Sequence, residues 1–385
     1  MSSFAERIIN NPALWGRSRP FRADGPAAGR PAPICPLFPD NTAWANIGVG
    51  RSHQPHRVLG EFARGGMSVL YDVRQDPAGT YHLLKMPDFS RYQDQPEILK
   101  MLWKRFRREA RILHAIHHTN ILPENYARLR DNVVRITGWD NQWDPKKPHE
   151  SYPRFYVMEK INGQDLFHLL SPEIPLKPLT ALKIMYLVVA ALAVYGECAR
   201  RLDPTASIFS HRDLKPENIM IEVGVALEKA EYSDIISVKL MDFGIAKLAE
   251  EHTENLTVTG DLLGTPGWIA PETIGRTKYA DQRSDIFVAA AILWRLLTGR
   301  EPFNWNDPQQ KALFFNYPEG TRQLIEWLKN ESYQGGDKLQ EVWDMVFKAM
   351  DCDPQKRYRT YDEFAIAIYH QILNPKLHEK PDRLA

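Results

Sequence analysis

The residues best suited to chemistry lie in the segment His211-Arg212-Asp213-Leu214-Lys215-Pro216-Glu217-Asn218, and the triplet Asp242-Phe243-Gly244 follows further along the chain. An acid, a lysine and an amide are thereby concentrated in one short stretch. Phosphoryl transfer requires a carboxylate near the acceptor hydroxyl, cations near the transferred phosphate, and oxygen ligands for magnesium. Together the two stretches contain all of these groups, and we interpret them as parts of a phosphoryl-transfer site.

These motifs resemble those of the Hanks-type (eukaryotic-like) serine/threonine protein kinase family, and the resemblance extends over residues 56 to 372. It implies that Asp213 orients the substrate hydroxyl and that Lys215 neutralises the transferred phosphate. It also implies that ATP is the phosphate donor and that Asn218 and Asp242 bind Mg²⁺. A lysine two positions after the aspartate matches the serine/threonine subclass, so protein serines and threonines are the expected acceptors.

A lysine and a glutamate upstream form a second candidate group. Phe106, Glu109 and Leu113 have the spacing of one helix face, so the carboxylate shares an apolar face and requires a cationic partner. Lys85 ends an apolar strand-like stretch and is the natural cation. The family pairs these two residues so that the lysine contacts the α- and β-phosphates, and the resemblance implies that role for Lys85 and Glu109.

The nucleotide loop departs from the family pattern. Ala63 and Ser68 occupy the first and third glycine positions of G-x-G-x-x-G-x-V. Because glycine lets the backbone approach phosphates without a Cβ, we expect a weakened phosphate contact that is not lost. Leu83 stands where the family usually has alanine, and its extra carbons are expected to narrow the adenine pocket. The resemblance assigns loop and pocket contacts to Ala63, Arg64, Gly65, Gly66, Ser68, Leu70 and Leu83.

The stretch from Phe155 to Leu166 resembles the family's hinge between lobes. The resemblance implies nucleotide contacts from the gatekeeper Met158, from the backbone of Glu159 and Ile161, and from Asp165 and Met220. Two of these residues have a purely structural alternative. Met158 could belong to the core, and Asp165 could be the N-cap of a helix that starts at Leu166.

The stretch from Asp242 to Glu272 resembles the activation segment of the family, and it contains Thr253, Thr257 and Thr259. We expect autophosphorylation at Thr257 or Thr259, because a phosphothreonine there would find guanidinium partners. The candidate partners are Arg212 and the arginines Arg105, Arg107, Arg108 and Arg111. A solvated helix face explains most of these helix arginines equally well.

Three further residues have structural roles in the family. The resemblance implies an ion pair between Glu272 and Arg357 that takes no part in catalysis. Asp285 could cap the apolar helix that follows it, or bond to the backbone of the 211–218 loop as in the family. Residues 224–237 lengthen the chain between Asn218 and Asp242, and we expect them to decorate the surface.

The elements around these motifs predict two lobes. Short β-type runs separated by turn signals begin near His56, and a helix pattern and two further strand-like runs follow. The chain is then mainly helical from about Leu166. We therefore predict an α+β fold, the bilobal protein-kinase fold, with a small antiparallel β-rich N-lobe containing one main helix and a larger helical C-lobe.

The expected domain bounds follow from composition and pattern. They are a Pro/Arg/Gly-rich extension at 1–50, a kinase domain at 51–373 with lobes at about 56–161 and 162–373, and a tail at 374–385. The formal charge of +1 argues against nucleic-acid binding. The longest apolar run, Ile184 to Tyr195, is too short for a membrane span. Three scattered cysteines form neither a disulfide framework nor a metal spacing, so the expected location is the reducing cytoplasm.

Two alternatives remain open at this stage. Ala63, Ser68 and Leu83 would suit a pseudokinase, a binding or scaffold module of the same fold with weak or no turnover. A kinase-like small-molecule phosphotransferase is the second alternative, although an activation segment that ends in Ala-Pro-Glu favours peptide substrates.

Overall fold

The structure is a computed structural model that describes most of the residues after the first strand. The described ranges are 47–49, 54–64, 68–75, 78–88, 92–139, 155–204, 209–243, 267–274, 280–333 and 337–378. Gly65, Gly66, Thr253, Thr257 and Thr259 lie outside them.

Six described strands form one antiparallel sheet in the order β1-β2-β3-β4-β6-β5. They are β1 (Ile47–Val49), β2 (Gln54–Arg64), β3 (Ser68–Gln75), β4 (Thr80–Pro87), β5 (Ile136–Trp139) and β6 (Tyr156–Glu159). Because side chains alternate along a strand, β4 sends Leu83 and Lys85 to one face and Leu84 and Met86 to the other. Strand β1 lies within the first 50 residues and pairs with β2.

The main helix of this lobe is α1 (Pro96–His118), which follows β4 and carries Glu109. Proline at its first turn suits the start of a helix, because the missing N–H would have no helical partner there. Phe106, Glu109 and Leu113 are all buried on one face, as their spacing predicts. The helix thereby brings its glutamate to the same face of the sheet as Lys85.

The second lobe is mainly helical, as predicted. The short helix α2 (Glu124–Ala127) still precedes β5 of the first lobe. The described helices of the second lobe are α3 (Leu166–Leu169), α4 (Pro178–Leu202), α5 (Gln282–Thr298), α6 (Pro308–Phe315), α7 (Glu319–Tyr333), α8 (Gln340–Ala349), α9 (Tyr361–Ile372) and α10 (Pro375–His378). Helix α4 is long and apolar enough to cross a membrane by composition alone, but 94% of its apolar window is buried inside the fold. Such burial is the property of a core helix.

Helix α5 shows how its ends are determined locally. Asp281 accepts a hydrogen bond from the Arg283 backbone N–H at the N-terminus, which satisfies one free donor. Gly299 ends the helix with a φ of 75°, where a Cβ would lie 2.6 Å from the Glu173 backbone. Only glycine fits this position, because both the φ value and the close approach exclude a side chain.

Three short strands, β7 (Gln164–Asp165), β8 (Ile219–Val223) and β9 (Ile235–Leu240), form a second antiparallel sheet, and β8 directly follows the 211–218 loop in the chain. The segment between β8 and β9 is not the surface decoration expected from its length, because Leu227 and Ala230 are buried in the main core. Thr180 Oγ1 donates to the Ala230 carbonyl at 2.9 Å, and Lys183 Nζ donates to the Tyr232 carbonyl at 2.8 Å. The expectation was wrong because these long-range contacts with α4 are invisible in the local sequence.

Candidate active site

One lysine joins the two lobes at the centre of the site. Lys85 Nζ lies 3.1 Å from Glu109 Oε1 and 2.7 Å from Asp242 Oδ1. The side chains of Lys85 and Glu109 are almost fully buried, whereas that of Asp242 is 40% exposed. The predicted pair of Lys85 and Glu109 is thus present, and the same ammonium also reaches the acid of the Asp-Phe-Gly triplet.

The three ionisable groups shift one another's protonation. Burial alone would lower the pKa of Lys85, but the charges of Asp242 and Glu109 outweigh it and raise that pKa well above its ordinary value. Burial would raise the pKa of Asp242, and the adjacent Lys85 reverses this and lowers it. For Glu109, burial dominates and raises the pKa in spite of Lys85. Lys85 and Asp242 therefore remain a charged pair at neutral pH.

Tyr156 is a member of this cluster that the sequence did not identify. Its hydroxyl donates to Glu109 Oε1 at 3.1 Å, and its ring stacks on Phe106 with the centroids 5.2 Å apart. Tyr156 pairs with Lys85 across β4 and β6, which puts both residues beside the same helix. The sequence feature that could have identified Tyr156 is a hydroxyl-bearing side chain within the apolar run Phe155 to Met158.

The 211–218 loop brings its acid, lysine and amide together. Asn218 Nδ2 donates to the Asp213 carbonyl at 2.7 Å and approaches Asp213 Oδ2 at 3.2 Å. Lys215 Nζ lies 3.4 Å from the same carboxylate oxygen. The amide and the ammonium therefore both contact Asp213 Oδ2 and restrict the position of this side chain within the loop.

The backbone on either side of this acid is unusual. Arg212 has a φ of 64° and Asp242 a φ of 50°, both in the left-handed region that non-glycine residues rarely adopt. Asp285 accepts hydrogen bonds from the N–H groups of His211 at 2.6 Å and Arg212 at 3.0 Å. The bond from Asp285 to the loop backbone is thus present, and it anchors the strained residue that precedes Asp213.

Two oxygen atoms at this site suit a hard cation. Met241 N donates to the Asn218 carbonyl at 2.9 Å, which holds Asn218 next to Asp242. Within the part of the chain that the structure describes, neither Asn218 Oδ1 nor Asp242 Oδ2 has a hydrogen-bond partner. Amide and carboxylate oxygens are ligands that Mg²⁺ prefers, usually together with water and substrate phosphate. The donor set therefore fits magnesium.

The described ranges contain no group of three or more His, Cys, Asp or Glu side chains arranged for a metal. A magnesium ion at Asn218 and Asp242 would therefore take its remaining ligands from water and phosphate, which is how this ion is usually bound.

The described part of the nucleotide loop consists of the ends of β2 and β3. Ala63 pairs with Leu70, and Ser68 pairs with Pro87. The Arg64 guanidinium is held by Glu61 at 2.7 Å and by Asp88 at 2.8 Å. Leu70 is in turn the partner of Lys85 across β3 and β4. The structure thus brings the described loop residues together beside the lysine strand, and their phosphate contacts stay a prediction.

Leu83 and Met158 face each other across β4 and β6. Leu83 is only 5% exposed and Met158 2%, and both belong to the main core cluster. The core alternative for Met158 is therefore present in the structure. The Glu159 carboxylate accepts from the Arg135 backbone N–H and from Lys239 Nζ, each at 2.7 Å. These bonds fix the start of the hinge, and Ile161 is partly buried against the core.

Asp165 caps helix α3, as its structural alternative predicted. Its carboxylate accepts from the His168 backbone N–H at 3.0 Å and contacts the ring nitrogen of the same residue at 2.7 Å. Met220 lies opposite Asp165 in the pairing of β7 and β8, and it is half-buried. The two residues are therefore neighbours on the small sheet below the hinge.

Phe62 is a second residue that the sequence interpretation missed. Its side chain is 52% exposed, and Lys160 Nζ of the hinge lies 5.0 Å from its ring centroid. Lys160 in turn bonds to Asp72 at 2.6 Å. A large exposed aromatic ring beside the hinge is suited to cover a flat ligand. In the sequence, the feature that could have identified Phe62 is its position directly before Ala63 of the nucleotide loop.

The Glu272 and Arg357 ion pair is present. Arg357 Nη1 and Nη2 lie 2.8 Å and 2.9 Å from the two carboxylate oxygens, and the guanidinium is fully buried. Ser284 Oγ donates to the same carboxylate at 2.8 Å. This bidentate pair joins the end of the activation-segment stretch to the loop before α9.

Comparisons with known proteins agree with this geometry. Residues 56–370 match the family model described as the protein kinase domain. The chain is 29% identical over 268 residues to the serine/threonine-protein kinase pkn3 of Myxococcus xanthus, which covers 69% of the chain and 41% of that relative. It is 27% identical over 328 residues to the serine/threonine-protein kinase PrkC of Bacillus subtilis, which covers 84% of the chain and 42% of that relative.

Among solved structures, the kinase domain of PknI from Mycobacterium tuberculosis aligns with a TM-score of 0.46 and 18% identity, covering 82% of this chain and 95% of that one. The chain spans less than half the length of the two curated relatives named above.

Proposed function

The chain belongs to the protein kinase family, and from that membership we propose that it transfers the γ-phosphate of ATP to serine and threonine hydroxyls of proteins. The observation that carries the proposal is the lysine that joins both lobes: Lys85 contacts Glu109 and Asp242 at 3.1 Å and 2.7 Å. A chain that kept only the fold could replace all three charged groups by apolar ones, because burying charge is costly even when the charges are paired.

Within this function, Asp213 accepts or orients the proton of the substrate hydroxyl. Lys215, which lies 3.4 Å from the Asp213 carboxylate, neutralises charge on the transferred phosphate. Asn218 holds Asp213 through its amide N–H group, and this leaves the amide oxygen for a cation. Catalysis then consists of positioning and charge stabilisation, which is what phosphoryl transfer demands of a protein.

ATP occupies the cleft between the two lobes in this proposal. Lys85 contacts its α- and β-phosphates, and Glu109 keeps the ammonium in place. The adenine lies at the hinge, bounded by Leu83, Met158 and Met220 and bonded to the backbone of Glu159 and Ile161, with Asp165 at the ribose. The phosphates approach Ala63, Arg64, Gly65, Gly66, Ser68 and Leu70. We add Phe62 to this set, because its exposed ring lies beside the hinge lysine.

Asn218 and Asp242 hold Mg²⁺, which supplies positive charge against the phosphate oxygens. Two oxygens support this proposal, Asn218 Oδ1 and Asp242 Oδ2, because neither has a hydrogen-bond partner among the described residues.

Protein substrates are the proposed partners, with autophosphorylation at Thr257 or Thr259. We also propose a cytoplasmic location, which agrees with the free thiols of Cys198 and Cys352. The proposed catalytic domain is residues 51–373, and β1 from the segment before it pairs with the edge of its sheet.

Two assays with a matched control test the function. We expect wild-type protein with Mg²⁺ and labelled ATP to phosphorylate serines or threonines of generic protein acceptors. Asp213→Asn should lower kcat by about 10²- to 10⁴-fold, the usual contribution of a general base, while calorimetry finds ATP binding unchanged. Asp131→Asn removes a carboxylate from an exposed pair with Arg135 and should leave kcat unchanged.

The alternatives give different results in the same assays. ATP binding without transfer to any acceptor would indicate a pseudokinase, which the intact set of charged residues does not favour. Transfer to small alcohols or amino sugars but not to proteins would indicate a small-molecule phosphotransferase. Retention of most of the wild-type kcat by Asp213→Asn would remove this residue from its proposed role.

A further inference from the structure

Asp285 is a buried carboxylate whose charge is stabilised by hydrogen bonds. It is 3% exposed, and the structure gives it no ion pair with any described lysine or arginine. Two of its donors are the backbone N–H groups of His211 and Arg212. A buried carboxylate without a cation needs several donors, because each unsatisfied oxygen loses its hydration without replacement.

Tyr361 supplies the third donor from a distant part of the chain. Its hydroxyl donates to Asp285 Oδ2 at 2.5 Å, and its side chain is 2% exposed at the first position of α9. Burial and the Asp285 charge raise the pKa of Tyr361 well above its ordinary value, so the hydroxyl keeps its proton. Charge-assisted bonds of this length are the strong ones in proteins.

Gly196 in α4 leaves space for the Tyr361 ring. A Cβ at this position would lie 3.4 Å from the Phe209 ring and 3.6 Å from the ring of Tyr361. A methyl group would thus already be in contact with both rings, and a branched side chain would overlap them. Glycine at position 196 therefore provides the space that the Tyr361 ring occupies.

The bonds continue from Tyr361 to the acid of the loop. Tyr361 bonds to Asp285, and Asp285 holds the N–H of Arg212, whose φ of 64° requires an anchor. His211 Nδ1 accepts from the Asp213 backbone N–H at 3.3 Å, which links the next residue to the same anchor. A loosened Asp285 would release two backbone bonds directly before Asp213.

We propose that Tyr361 is a positioning residue, which holds the 211–218 loop in its working conformation through Asp285. The proposal rests on the proposed kinase activity, because it assigns an effect on kcat through Asp213. Tyr361 does not touch the reacting groups, so its removal should alter the rate of the chemical step and leave ATP binding unchanged.

Docking of α9 is a separate property that does not depend on this hydroxyl. Phe364, Ala365 and Ile368 bury the helix in the main core, and Thr360 caps its N-terminus. Tyr126 provides a matched comparison, because its hydroxyl donates to Asp362, the next residue of α9, at 2.9 Å. Each hydroxyl donates to a carboxylate, that of Tyr361 to Asp285 of α5 and that of Tyr126 to Asp362 of α9, but only Asp285 contacts the loop backbone.

The test compares Tyr361→Phe with Tyr126→Phe in the full chain. Hydrogen–deuterium exchange of peptides covering residues 209–214 reports the loop independently of activity. We expect Tyr361→Phe to exchange there about tenfold faster and to lose about tenfold in kcat, as for a lost bond to a charged group, with the KM for ATP unchanged. Tyr126→Phe should equal the wild type in both measurements. Gly196→Val, which displaces the ring, should reproduce the faster exchange if Tyr361→Phe does not fold.

The outcomes separate this proposal from the proposed function. Equal exchange and kcat in Tyr361→Phe and wild type would overturn the positioning role, and so would an equal loss in Tyr126→Phe, which would indicate general docking of α9. Wild-type protein that transfers no phosphate would overturn the proposed function, and exchange at residues 209–214 would then decide alone whether Tyr361 positions the loop.

Discussion

Lys85 and Asp242 form an ion pair of 2.7 Å although 157 positions separate them in the chain. The pair connects β4 of the small lobe to the end of β9 in the large lobe. Since Lys85 also contacts Glu109, one ammonium serves two acids. Lys85 thus joins an acid of each lobe at the site through one buried side chain.

Lys85→Met should destabilise the protein strongly. Removing one member of a buried ion pair leaves uncompensated charge, which costs about 3 to 5 kcal/mol of unfolding free energy. Lys85→Met combined with Glu109→Gln should recover part of the loss, because one unpaired acid is gone, while phosphate transfer stays abolished. Urea unfolding measures both changes.

The control for this experiment is Lys160→Met, which removes a partly exposed pair with Asp72. It should cost about 1 kcal/mol or less, as is usual for pairs near the surface. An equal loss in Lys85→Met and Lys160→Met would contradict a structural role for the buried cluster.

Leu83→Ala should lower the KM for ATP if the leucine narrows the adenine pocket. The change also truncates a core residue and should cost about 2 to 5 kcal/mol of stability. Leu84→Ala is the matched control, because Leu84 is equally buried but belongs to the cluster on the opposite face of the sheet. Calorimetric titration with Mg-ATP compares the two variants.

A tighter ATP complex in Leu83→Ala but not in Leu84→Ala would support the pocket assignment. No ATP binding by the wild type together with ready binding by Leu83→Ala would indicate an occluded pseudokinase. Unchanged affinity in both variants would show that Leu83 does not limit the pocket.

Incubation with Mg-ATP should phosphorylate Thr257 or Thr259. The phosphate would carry charge suited to arginine partners and would order the segment that carries it. Mass spectrometry should find the modification in wild-type protein made alone and not in Asp213→Asn. Equal phosphorylation of the Asp213→Asn protein would exclude autophosphorylation as its source.

His117 should make the protein less stable in acid. Burial first, and then the charge of Arg135, lower its pKa from 6.5 to about 3. Between these values the unfolded chain binds a proton that the folded one does not, so stability falls as the pH falls. The expected loss from pH 7 to pH 5 is about 2 kcal/mol from this group.

Denaturant unfolding at the two pH values checks this effect. His117→Leu should remove about 2 kcal/mol of the acid sensitivity. His370→Leu, at an exposed position of α9, serves as the control for losing an imidazole. The same acid sensitivity in wild type and His117→Leu would show that the buried ring is not responsible.

The sequence by itself determined the two lobes and the chemically active groups. Asp213, Lys215 and Asn218 are close because they share one short loop, and the spacing of Phe106, Glu109 and Leu113 was enough to predict a buried acid that needs a cation. Such patterns are readable because helix and strand periods depend only on neighbouring residues.

The tertiary structure alone decided which distant groups complete the site. The contacts of Tyr156 with Glu109 and of Tyr361 with Asp285 join elements that are far apart in the sequence. Leu227 and Ala230, between β8 and β9, are likewise buried by residues from distant parts of the chain. A hydroxyl finds its acceptor through the packing of whole helices and strands. Sequence spacing does not encode that packing, because each such contact depends on the position of many other side chains.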